Sequence, residues 1–164
     1  KCLQKSYKYN SRIKKYCKLQ YMMERKVIMI KRNTDKGFSI KKVKTFDDKR
    51  GSLFEALRFK TESIPGNGQI YVYTVEPGAR RGDHFHKNKE EWFFCVSGTL
   101  ELLIKTKKGG IKKEISSDSP EIVYVAPGTI HTLINKTKKK CVVVAYASKE
   151  LDQKNPDTYK VSQI

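Results

Sequence analysis

From about residue 47 onward the apolar positions of this chain fall in short runs broken by turn residues, and no stretch carries a helical period. Strand-length runs lie at 53–59, 69–75, 91–96, 100–105, 122–125, 132–134 and 141–146. Between them stand Pro65-Gly66-Asn67-Gly68, Pro77-Gly78, Gly98, Gly109-Gly110 and Pro127-Gly128. Turn residues between β-rich runs mark chain reversals. Within 69–75, Tyr71, Tyr73 and Val75 alternate with Ile70, Val72 and Thr74, the period of a strand with one face buried. Two further strands are expected near 27–30 and 38–43. Many short strands at near-regular spacing predict an all-β domain, a sandwich or barrel of antiparallel strands. The lysine clusters near 105–113 and 136–140 read as solvated hairpin ends.

A chain of 164 residues is long enough for one domain with a real core. The division expected is a basic peripheral extension over 1–21 and a single domain over 22–164, with its core at 46–148. The extension is rich in Lys, Arg and Tyr and contains no Asp or Glu. Met22-Met23 follows it, so it reads as an upstream extension or the tail of a preceding domain.

The net charge of +18 suggests nucleic acid until its distribution is considered. Residues 1–50 hold 17 Lys/Arg and 4 Asp/Glu; residues 51–164 hold 18 and 13. The excess is concentrated in the first third, with no zinc-finger, RRM-like or helix-turn-helix pattern beside it. No nucleic-acid partner is expected. Cys2, Cys17, Cys95 and Cys141 form no CxxC pair, and the last two sit in apolar runs, which suits a reducing compartment. The longest apolar run, 141–147, is far short of the ~20 residues that span a membrane. A cytoplasmic protein without a membrane partner is the expectation.

The chemistry is concentrated elsewhere. All three histidines stand in one pattern: Gly78-x5-His84-x-His86-x4-Glu91-x6-Gly98, then Pro127-Gly128-x2-His131-x3-Asn135. Residues two apart on a strand share a face, so His84 and His86 point the same way. Glu91 starts the next strand and can face them if that strand pairs with the one carrying the histidines. Glu90 would face the opposite side. Three imidazoles and a carboxylate on one inner wall make either a metal site or a proton-transfer site.

This pattern resembles the two motifs of the cupins, a family of antiparallel jelly-roll barrels. The first motif agrees at every position. In the second, Pro127 abuts Gly128 and Asp118-Ser119-Pro120-Glu121 fills the place of an upstream glycine. Asp48-Lys49-Arg50-Gly51-Ser52-Leu53-Phe54-Glu55 resembles a segment of sugar-nucleotide cupins of the dTDP-4-dehydrorhamnose 3,5-epimerase type. There the Arg and Glu hold the nucleotide, which implies substrate contacts from Arg50 and Glu55. Guanidinium forks suit a diphosphate, and Arg81 is a further candidate. Gly68-Gln69-Ile70, Gly82-x-His84-x-His86, Val96-Ser97-Gly98 and Asn155-Pro156-Asp157-Thr158-Tyr159 extend the likeness over roughly 46–160. Together they look like the C-terminal cupin domain of capsular-polysaccharide enzymes that act on UDP-linked 4-keto-6-deoxy N-acetylhexosamines. Arg81-Gly82-x-His84-x-His86 is also similar to the sugar 3,4-ketoisomerase cupins.

The resemblance implies an isomerase that epimerises the carbon beside the ketone of a nucleotide-linked 4-keto-6-deoxy sugar in polysaccharide or glycan synthesis. The alternatives are a 3,4-ketoisomerase, a non-catalytic sugar-binding cupin, or an iron cupin oxygenase. One divalent metal is implied, zinc first and iron or manganese next, held by His84, His86, Glu91 and His131. With metal bound, Tyr71 or Tyr73 is the candidate proton carrier; without it, His84 or His86 takes the role of base. No glycine-rich dinucleotide loop is present, so no nucleotide cofactor is expected. Separate dehydratase and reductase enzymes then complete the pathway. Edge strands that need covering, and the dimers of sugar-nucleotide cupins, imply a homodimer.

Overall fold

The computed structural model describes residues 36–163 except residue 61. The strand expected near 27–30 and the extension over 1–21 lie outside them. Twelve strands and no α-helix are found among the described residues: β1 Phe38–Lys42, β2 Thr45–Asp48, β3 Gly51–Phe54, β4 Gln69–Val75, β5 Arg80–Phe85, β6 Glu91–Ser97, β7 Thr99–Thr106, β8 Gly109–Ser116, β9 Glu121–Val125, β10 Ile130–Ile134, β11 Cys141–Ala147 and β12 Tyr159–Lys160. They form two five-stranded antiparallel sheets, β1-β9-β6-β11-β4 and β12-β5-β10-β7-β8, and a separate β2–β3 hairpin. This is the antiparallel jelly roll expected. It extends past 46–148 at both ends, because β1 pairs with β9 and β12 pairs with β5.

The main core lies between the sheets. Val75, Phe93, Cys95, Leu102, Ile104, Val123, Leu133 and Val143 are buried there. These positions alternate along their strands, as a sheet with one face to a core requires. A second apolar layer covers the outer side of the first sheet, where Trp92, Phe94, Ile122, Tyr124 and Tyr146 pack under Phe54, Leu57, Phe59 and Ile64. This explains why β6 from Glu91 to Cys95 and all of β9 are buried on both faces. It also explains a departure from the sequence reading. The run 53–59 is strand only to Phe54; the rest crosses the outer layer as a loop whose side chains cover the sheet. Lys112 and Lys113 likewise lie within β8 rather than at a hairpin end, with Lys112 paired to Glu101 and Lys113 to Glu121. No helix among the described residues is long and apolar enough to cross a membrane.

Candidate active site

The histidine-bearing strand β5 is not regular. Arg81 stands opposite Leu133, Gly82 opposite Thr132 and His84 opposite His131, so Asp83 is an extra residue inserted between two successive positions of the register with β10. Gly82 and Asp83 take φ of +113° and +52° to accommodate it. This is a β-bulge, which re-aims the residues on either side of it. Its effect is specific. Leu133 and His131 are two apart and share the inner face; their partners Arg81 and His84 are three apart and share it too. Without the bulge, Arg81 and His84 would face opposite ways. Asp83 is braced on the outside: its N–H and carboxylate both engage the Thr132 hydroxyl at 3.0 Å, and Arg80 forks onto the carboxylate at 2.7 and 3.2 Å. No room exists for a side chain at Gly82, whose Cβ would lie 2.4 Å from the His131 carbonyl oxygen.

His84, His86, Glu91 and His131 converge, with ligating atoms all within 4.8 Å of one another. Glu91 is the hub. One carboxylate oxygen sits 3.1 Å from Nε2 of both His86 and His131, and the other accepts the Tyr71 hydroxyl. Glu90 faces the outer layer, as alternation predicts, and accepts the Tyr124 hydroxyl at 2.7 Å. The His84 ring lies 4.9 Å from that of His86 and 4.7 Å from that of His131, centre to centre.

The tautomers follow from the partners. His86 Nδ1 faces the Asp157 carbonyl, and His131 Nδ1 lies 3.1 Å from the Thr129 carbonyl. A carbonyl only accepts, so both Nδ1 atoms carry the proton. The Nε2 lone pairs then face an ionised carboxylate, an arrangement that requires positive charge between them. A second proton on each ring supplies it, and so does one cation bound by the Nε2 atoms and Glu91. Nδ1–H to a main-chain carbonyl with Nε2 turned to the ion is the usual support of a metal-binding histidine. The donor set of three imidazoles and one carboxylate suits zinc, iron or manganese. The residues fit a divalent metal on these grounds.

The electrostatics agree. Burial alone would raise the Glu91 carboxyl, but the hydrogen bonds from His131 and His86 outweigh it and hold the group well below the usual carboxylate range. Burial, then the neighbouring His131 and His86, pushes His84 down to about 4, so its ring is neutral at neutral pH. Tyr71 and Tyr73 are pushed far up by burial and by the Glu91 charge, and both keep their protons.

These groups line one side of a pocket of about 570 Å³ between the sheets, with Tyr71 and Tyr73 on β4 opposite His84 and Arg81 on β5. Arg81 lies over the Tyr73 ring at 5.5 Å and donates to the Thr74 carbonyl at 2.9 Å. Arg50 and Glu55 do not line this pocket. Arg50 is exposed on the β2–β3 hairpin and paired to Asp48 at 2.6 Å; Glu55 is paired to Arg58. Sequence reasoning missed the bulge and the role of Asp157. A Gly-Asp step inside a strand was the available signal for the first; the second is a contact across 71 residues with no local signature.

Residues 46–159 match the model of the family described as the polysaccharide biosynthesis C-terminal domain. UDP-2-acetamido-2,6-beta-L-arabino-hexul-4-ose reductase of Pseudomonas aeruginosa is 32% identical over 117 residues, which are 70% of this chain and 30% of the relative. The capsular polysaccharide assembling protein CapF of Staphylococcus aureus superposes with a TM-score of 0.56 at 28% identity, over 74% of this chain and 34% of CapF. The chain thus spans about a third of the length of these two relatives. ChmJ, a 3'-monoepimerase from Streptomyces bikiniensis solved with dTDP-quinovose, superposes at 0.67 with 16% identity, over 77% of this chain and 70% of ChmJ; that likeness is one of fold. The family match, which spans residues 46–159 and so includes all three histidines, makes this chain a member of the polysaccharide biosynthesis C-terminal domain family.

Proposed function

We propose that this chain is an isomerase that epimerises the carbon beside the ketone of a nucleotide-linked 4-keto-6-deoxy sugar, of the UDP-N-acetylhexosamine type, in glycan synthesis. One observation carries the reading: a neutral His84, a protonated Tyr71, Glu91, His131 and Arg81 line one pocket between the sheets, with His86 behind them on Glu91. Epimerisation needs a base for the acidic carbon proton, a positive group for the developing enolate oxygen and a proton donor on the opposite face. His84, neutral and part-exposed, is the available base. Tyr71, on the opposing strand, is the donor, and Glu91 receives its hydrogen bond and fixes its aim. Arg81 offers its guanidinium to the diphosphate. A divalent ion, zinc first, would be held by His84, His86, Glu91 and His131; with it bound His84 is a ligand, and the proton-carrying role passes to Tyr71 or Tyr73. Such an ion supplies electrophilic stabilisation of an enolate oxygen. The relatives support the substrate class: a UDP-linked hexulose for the Pseudomonas aeruginosa reductase, a dTDP sugar for ChmJ. Dehydratase and reductase activities act before and after this step. A homodimer accompanies the reading, supported by the bare apolar pair Phe46 and Leu53 on the β2–β3 hairpin and by Ile70 and Val72 on the edge strand β4.

The test is solvent exchange. The protein is incubated with a UDP-linked 4-keto-6-deoxy N-acetylhexosamine in deuterated water, and the ring protons are followed by NMR. Deuterium entering at the carbon beside the ketone, with loss of that entry in His84→Ala, is the expected result. The product separates an epimer from a 3-keto isomer. Binding of the sugar without exchange, with UDP and dTDP forms alike, would make the domain a sugar-binding module instead.

A further inference from the structure

We propose that Asp157, on the C-terminal strap, is a positioning residue for His86. The inference rests on the reading of His86 as a site ligand. His86 lies just past the end of β5, in the turn to β6, where its carbonyl accepts the Gly128 N–H at 2.7 Å but no strand ladder continues beyond it. The strap replaces that support. The Asp157 carboxylate accepts the N–H groups of Lys87 and Asn88, each at 2.8 Å, and so caps the turn that follows the histidine. The carbonyl of the same residue takes the Nδ1 proton of His86. One residue therefore fixes both the backbone after His86 and the ring of His86 itself.

The strap is anchored directly after this contact. Tyr159 and Lys160 form β12 against Phe85 and His84, Val161 donates to the Asp83 carbonyl at 2.8 Å, and the Tyr159 ring stacks on Phe85 at 5.3 Å. Lys87 covers the other face of that contact, with its ammonium 4.0 Å from the Tyr159 ring centre. These bonds make the strap continuous with the histidine strand rather than a loose tail. Pro156 precedes Asp157 and removes φ freedom where the carboxylate must turn inward. The consequence is a division of labour. Thr129 fixes His131 from the turn just before its strand, whereas the His86 ring depends on a segment 71 residues away. Losing an outer partner of a metal-binding histidine typically lowers metal affinity about 10–100-fold.

The experiment uses the full chain and two readouts. Long-range proton–nitrogen NMR of the metal-free protein reads the protonated nitrogen of His86, and competition with a chelator reads zinc affinity. In the wild type, His86 is expected to carry a slowly exchanging Nδ1 proton. In Asp157→Ala that proton exchanges rapidly or moves to Nε2, and zinc affinity falls about 10–100-fold. Asp152→Ala is the control, because it removes the same kind of cap, on Lys154 and Asn155, without touching His86; both readouts stay at wild-type values. If thermal melting shows that Asp157→Ala does not fold, Asp157→Asn, which keeps one acceptor, is read in the same way and gives a smaller loss. An unchanged His86 proton and unchanged zinc affinity in a folded Asp157 variant overturns the proposal, and so does equal loss in Asp152→Ala. A wild type that takes up no zinc defeats the metal reading alone, since the NMR comparison still decides the role of Asp157.

Discussion

Replacing Gly82 by alanine tests whether the bulge builds the site. An added Cβ would lie 2.4 Å from the His131 carbonyl oxygen and 2.8 Å from Thr132 Cα, both main-chain atoms of the neighbouring strand. Ordinary contact begins near ~3.5 Å, so β5 and β10 must part by about an ångström where His84 faces His131. A φ of +113° adds strain of about 1–3 kcal/mol for a side-chain-bearing residue. Overpacking adds about 1–3 kcal/mol more. The sum, about 2–6 kcal/mol, is a large part of the ~5–15 kcal/mol that holds a domain folded. Gly78 is the internal reference: its φ is +74° but its Cβ would meet nothing within 4 Å. Gly78→Ala should lose only the conformational part, about 1–2 kcal/mol. Urea unfolding followed by the fluorescence of the single, buried Trp92 measures both. Zinc affinity of the folded variants reads the site, and only Gly82→Ala should lose it. Equal unfolding midpoints for the two variants, or normal zinc binding by folded Gly82→Ala, would refute the reasoning.

Two further outcomes follow from the same geometry. Tyr71→Phe should slow deuterium entry into the keto sugar by about 10²–10⁴-fold, the usual yield of one acid/base group, while zinc affinity is retained; normal exchange in this variant removes Tyr71 from the reaction. His84 has a folded pKa of about 4, below its ordinary 6.5, so the unfolded chain binds its proton first. Metal-free stability is therefore full above pH 6.5 and falls as pH drops toward 4. The slope is under ~1.4 kcal/mol per pH unit, because the ring is part-exposed and solvent screens it. Urea midpoints of the wild type and His84→Gln should converge as the pH falls through this window, and parallel profiles would contradict the assignment.

What the sequence displayed clearly is what depends on local pattern. Alternation along 69–75 placed Tyr71, Tyr73 and Val75 inward and Ile70 and Val72 outward, as β4 shows. The same rule separated Glu91 from Glu90. Alternation failed where a second layer covers a strand. Trp92 and Phe94 are buried with Phe93 because residues 54–64 lie over them, and apolar content could not say whether 53–59 was a strand or that cover. It failed again at β12, two residues whose pairing is set by distant contacts. Arg50 and Glu55 belong to a motif whose local part is visible: Arg50 sits in the turn of the β2–β3 hairpin and Glu55 just past its end, paired to Asp48 and Arg58.

The bulge also explains why Arg81 and not Arg80 opposes Leu133 on the inner face, although both border the pocket. Both are arginines on one strand, and periodicity counted back from His84 favours the inner face for Arg80. The extra residue reverses this count. Arg81 then opposes Leu133 on the core side, where its charge meets the Tyr73 ring and the Thr74 carbonyl rather than another ion. Arg80 is turned out to Asp83, where it neutralises the residue that makes the bulge. A guanidinium facing a ring and a carbonyl is not neutralised by a carboxylate and keeps its attraction for an incoming anion. One already paired to a carboxylate does not, since the anion would have to displace that partner. Drawn into a regular ladder, Asp83 would send Arg81 to the outer face and Arg80 to the inner one, whereas deleting it would keep Arg81 opposite Leu133 and take away the carboxylate that pairs with Arg80. The bulge thus lets one strand hold Arg81 and His84 on the inner face and the Arg80–Asp83 pair at the same time.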